Sequence, residues 1–126
     1  MSMQSPLSRA KGMGSAKEGL HHWVVQRFTG IALVPLSLWF MWSMVCLAGA
    51  EHAEVVAWMQ APVNAVSLSL FVGVAAYHSA LGVQVVLEDY ISHEGFRMVK
   101  MIVQKFLHYF LAALGIFCVL QVALGA

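Results

Sequence analysis

Three stretches of this chain carry no charged residue: Phe28 to Ala50, Val63 to Leu87 and Phe106 to Ala126. Each is about as long as the roughly 20 apolar residues a helix needs to cross a bilayer. None alternates polar and apolar residues as a membrane barrel strand does. The chain has 126 residues, 60% of them hydrophobic and 10% charged. A soluble domain carries about 25% charged residues, and a chain this short cannot hide so much apolar surface in its own core. The sequence therefore predicts an all-α membrane protein with three transmembrane helices, at about 28–50, 63–88 and 101–126. Residues 1–27 form a polar tail and an interfacial lead-in, and 28–126 form a single membrane domain. The first stretch begins too far into the chain for a cleaved signal peptide.

Charge gives an orientation. All seven basic residues fall on two segments: Arg9, Lys11, Lys17 and Arg27 before the first charge-free stretch, and Arg97, Lys100 and Lys105 between the second and third such stretches. The first loop, EHAEVVAWMQAP, has none. The positive-inside rule then puts the N-terminus and the second loop inside and the C-terminus outside. A bacterial inner membrane is expected, with the mitochondrial inner membrane as the alternative. The tail MSMQSPLSRAKGMGS reads as loosely ordered. Pro35 should kink the first helix. Cys46 and Cys118 have no partner at metal-binding spacing and read as small packing residues.

The second span holds the most informative pattern. At ~100° per residue, Ser67, Phe71, Gly82, Val85 and Asp89 lie within about 40° of His78, so these six residues form one stripe. Ala75 with Ser79, and Ala76 with Ala80, are small pairs four apart that suit close helix packing. An imidazole at membrane depth needs a partner. It is either a helix-to-helix hydrogen bond or a ligand to a haem iron, for which Gly82 would leave room for a flat ring. A proton relay would want further titratable groups in the span, and there are none. His108 in the third span is the rival ligand. At the inner end, Glu88, Asp89 and Tyr90 face the start of the first span, where Trp23 and Arg27 are four residues apart. These groups form either an interfacial belt of anchors or a polar site at the membrane edge.

HHWVVQR before an apolar span, then H-x3-G-x-Q-x4-DY before a basic loop, resembles the small hydrophobic membrane anchor of succinate dehydrogenase. The likeness covers nearly the whole chain. It implies a helical bundle with a second, different anchor subunit, docked to iron–sulfur and flavoprotein subunits, with lipid around it and no nucleic acid. It implies a haem b shared between the two anchors and ubiquinone as the substrate reduced. On that basis His78 is the axial ligand to the haem iron, Tyr90 and Asp89 belong to the quinone site, and Arg27 and Trp23 lie near the haem propionates or the quinone pocket. The chain would not be catalytic alone. The competing readings are a structural transmembrane subunit without haem and a component of a small proton-coupled transporter. Every Asp and Glu lies outside the three charge-free stretches, which counts against the transporter.

Overall fold

A computed structural model describes residues 6–7 and 17–125. Most of the Ser/Gly-rich tail, with Arg9 and Lys11, lies outside the described residues. Four helices follow: α1 (Lys17–Cys46), α2 (His52–Gln60), α3 (Pro62–Tyr90) and α4 (Glu94–Leu124). Strands are absent from the described residues. Three of the helices, α1, α3 and α4, are long and apolar enough to span a membrane.

Local chemistry sets the boundaries. The lead-in HHWVVQR is continuous with the first span, so α1 runs for 30 residues. At about 1.5 Å per residue it exceeds a hydrocarbon core of about 30 Å, and its first turns reach beyond it. The helix continues through Pro35. It ends in a turn at Gly49, whose φ of +86° suits a residue without a Cβ. The first loop folds into α2, opened by the Glu54 carboxylate accepting from the Glu51 N–H at 3.0 Å. Pro62 then occupies the first turn of α3, where its missing N–H leaves no helical bond unmade. Asn64 Nδ2 donates to the Trp58 carbonyl at 2.8 Å and ties the two helices together. The N-cap of α4 is His93, whose Nδ1 accepts from the Phe96 N–H at 3.3 Å.

The three spans form a layer in which α3 is the middle helix. It packs against α4 on one side and α1 on the other, while α1 and α4 do not approach each other. The α3–α4 seam is the tighter one. A Cβ at Gly115 would lie 2.8 Å from Val72 Cγ1, so only glycine fits there without movement. Ala80 is buried in this seam, and its carbonyl accepts from Gln104 Nε2 at 3.5 Å. Of the four small residues expected to pack, Ala80 does so. The α1–α3 seam is held by Phe40 stacked on Phe71, with ring centroids 4.9 Å apart. Trp39 stacks on Trp58 of α2 at 5.8 Å, while Trp42 is exposed. Cys46 and Cys118 are free and exposed. Neither is buried within the chain's own layer.

Candidate functional site

The stripe on α3 faces α1. Phe71 meets Phe40, His78 meets Thr29, and Gly82 faces Gln26. Thr29 Oγ1 lies 2.9 Å from His78 Nδ1, and Gln26 Nε2 lies 3.4 Å from His78 Nε2. Beside this contact the two helices leave an open groove of about 720 Å³. Cofactor pockets typically measure about 300–1,000 Å³. His22, Trp23, Arg27, Gly30, His78 and Val85 are among its lining residues. A second, smaller groove continues past Gly30, Val34 and His78 to Leu33 and Leu38, where the walls are apolar.

The glycine that approaches the His78 ring is Gly30 of α1, while Gly82 of α3 lies open beside Gln26. A Cβ at Gly30 would lie 3.4 Å from His78 Cε1, whereas one at Gly82 would meet only Gln26 Nε2, at 3.8 Å. The helix wheel of α3 could not say what stands opposite His78. α1 stands there, and its backbone is the one that approaches the ring.

Trp23 and Arg27 sit at one end of this groove, as one unit, with the guanidinium carbon 5.4 Å from the indole centroid. Two buried polar atoms of the lining have no partner among the described residues: His22 Nε2 and Gln26 Oε1. The structure thus gathers His78, Trp23 and Arg27. Asp89 and Tyr90 are not among the lining residues. They lie exposed on the last turn of α3, Tyr90 at 84%. His108 faces another way. Its Nδ1 donates to the Gln104 carbonyl at 2.7 Å, and its Nε2 lies 3.2 Å from Ser79 Oγ, on the α3–α4 side. The two intramembrane histidines therefore look toward different neighbours. Among the described residues no three His, Cys, Asp or Glu side chains gather as a metal site. Sequence reasoning missed Gln26, Thr29 and Gly30. The available signal was His22, Gln26, Thr29 and Gly30 at helical spacing, a polar and small stripe entering an otherwise apolar span.

Three spanning helices in an open layer, and a groove with the His78 imidazole deep in its wall and His22 with an Arg–Trp pair toward its end, define a multi-pass membrane subunit built to be completed by other chains. The chain is matched over residues 1–122 by the model of the succinate dehydrogenase/fumarate reductase transmembrane subunit family, and it belongs to that family. It is similar to the succinate dehydrogenase hydrophobic membrane anchor subunit of Rickettsia bellii, 38% identical over 81% of this chain and 82% of the relative. The Rickettsia conorii anchor is 37% identical over 79% and 80%. The Paracoccus denitrificans anchor is 28% identical over 97% and 94%. No solved structure gives a significant match. The protein thus serves as a membrane anchor of succinate dehydrogenase, associated with the other subunits of that complex, as a multi-pass protein of the bacterial inner membrane.

Proposed function

We propose that the α1–α3 groove is the face on which this anchor holds a haem b, with His78 as one axial ligand and the second ligand from a second anchor subunit. The observation that carries this is the lone intramembrane imidazole in the wall of a groove whose length is apolar and whose end is basic. A haem would need only one such imidazole from this chain, so a single intramembrane histidine in the groove would suffice. The residues fit the group. Ile31, Val34 and Leu38 offer apolar walls, and Gly30 leaves the edge of the imidazole open. The Arg27 guanidinium offers donors for carboxylates. Bound there, the haem would supply a one-electron centre within the membrane.

Ubiquinone reduction belongs, in this reading, to the exposed end of α3. Tyr90 donates its hydroxyl proton to a quinone carbonyl, and Asp89 beside it delivers or orders protons. The exposure of both groups and the basic loop that follows support placing this end at the inner surface, with the N-terminus on the same side. His78 lies eleven residues away on the same helix, about 16 Å deeper. The partners completing the site are the second anchor and the iron–sulfur subunit, with the flavoprotein beyond it.

The test is the reduced-minus-oxidised visible spectrum of the assembled complex. His78→Ala is expected to lose the b-type bands while the subunits still co-purify. Unchanged haem content in that variant would overturn the ligand assignment.

A further inference from the structure

The groove explains where the His78 ring points but not which of its nitrogens is bare. We propose that Thr29 is a positioning residue that fixes this: its hydroxyl oxygen accepts a hydrogen bond from the His78 Nδ1–H and so presents Nε2 as the unprotonated, ligating nitrogen. The inference rests on the reading of His78 as an axial ligand.

Proton counting carries it. Thr29 Oγ1 has three neighbours at bonding distance, the Val25 carbonyl at 2.9 Å, the Gln26 carbonyl at 3.1 Å and His78 Nδ1 at 2.9 Å. A hydroxyl has one proton to give and two lone pairs to offer. The two carbonyls can only accept, and a helical threonine characteristically bonds back to them. With the proton directed there, the lone pairs of Oγ1 face Nδ1, which must then be the protonated nitrogen. The other side of the ring agrees. The group nearest Nε2 is the Gln26 amide nitrogen, which donates and cannot accept. At 3.4 Å that bond is long, so the amide can be displaced without large loss.

His108 shows the contrast. Its Nδ1 donates to a carbonyl of its own helix, and its Nε2 is taken up by Ser79. His78 is instead oriented by a different helix, so correct packing of α1 on α3 becomes a condition for a competent ligand. One turn of α1 then does three things: Arg27 reaches the mouth of the groove, Thr29 orients the ring, and Gly30 leaves space beside it.

A hydrogen bond from the far nitrogen of a ligating histidine fixes its tautomer and raises its basicity, and losing such a partner typically weakens a metal site about 10–100-fold. A more basic ligand favours ferric over ferrous iron, so losing the bond should raise the haem midpoint potential. The experiment compares Thr29→Val and Thr29→Ser with wild type in the assembled complex, by equilibrium redox titration of the b-type absorbance and by the rate of haem loss. Valine keeps the shape and removes the hydroxyl. We expect the valine variant to shift the ferric-to-ferrous ratio at fixed potential by up to about tenfold, or about 59 mV for one electron. It should also lose haem about tenfold faster, and serine should restore both values. If the valine complex does not assemble, Thr29→Ala carries the same measurement. A wild-type potential and haem retention in the hydroxyl-free variant, or equal defects in the serine and hydroxyl-free variants, would overturn the role of Thr29. His78→Ala, run in parallel, separates the two levels. If it keeps its haem, both readings fail; if it loses haem while the hydroxyl-free variant behaves as wild type, only Thr29 is wrong.

Discussion

Single side chains decide whether the groove admits a ligand. Gly30 is the position where added bulk meets the imidazole, at 3.4 Å from Cε1. Gly30→Leu should abolish haem binding in the assembled complex. Gly82→Ala, whose Cβ would lie 3.8 Å from a flexible glutamine amide, should leave the difference spectrum close to wild type. Equal haem content in the two variants would show that the ring does not lie beside Gly30. At the other end of α3, Tyr90→Phe removes one hydroxyl from an exposed side chain. A hydrogen bond to a neutral partner contributes about 0.5–1.5 kcal/mol, so quinone reduction should fall by no more than about tenfold. Succinate oxidation with an artificial acceptor should be untouched. Asp89→Asn should slow the same step, and wild-type quinone kinetics in both variants would remove the pair from the site.

Helix pairing is decided by the two sides of α3. The α4 side depends on glycine at 115, where a Cβ would sit 2.8 Å from a stiff, β-branched neighbour, Val72. Gly115→Ala should therefore destabilise the seam, by about 1–3 kcal/mol if it behaves as ordinary overpacking. Val72→Ala should relieve part of that loss in the double variant. Thermal unfolding of the purified complex, with both single variants and the pair, measures this coupling. Strictly additive effects would mean the two residues do not constrain each other. The α1 side is held differently, by stacked rings and a hydrogen-bonded imidazole, with the groove alongside. That looser seam is the one that carries the candidate site.

As a whole, the layer is incomplete. Among the described residues only Ala65, Leu68, Ala80, Leu81 and Val119 are buried hydrophobics, and both faces of the layer expose large apolar side chains. Lipid can cover those. It cannot satisfy His22 Nε2 or Gln26 Oε1, which are shielded and find no partner among the described residues. Where no water reaches, each such group costs several kcal/mol. The anchor expressed without its partner subunits should therefore aggregate in mild detergent or be degraded. Size-exclusion chromatography checks this, and a stable, monodisperse monomer would contradict it.

The spans were legible because charge-free runs of this length have one stable arrangement in a bilayer. The family was legible because HHWVVQR and the spacing from His78 to Tyr90 are specific enough to carry a likeness. The same sequence left α2 unread, since nine residues of mixed polarity between two spans carry no strong period. It also left open what His78 faces. The spans are apolar on nearly every side, so the hydrophobic pattern does not rank one neighbour over another. Composition determined that three helices cross the membrane. Only the tertiary structure decided that α3 lies between α1 and α4. It alone set Thr29 against Nδ1, put Gly30 rather than Gly82 beside the ring, and turned His108 away. Those outcomes depend on the rotation of each helix about its axis, which is fixed by side chains interlocking across a seam rather than by the order of residues along either chain segment.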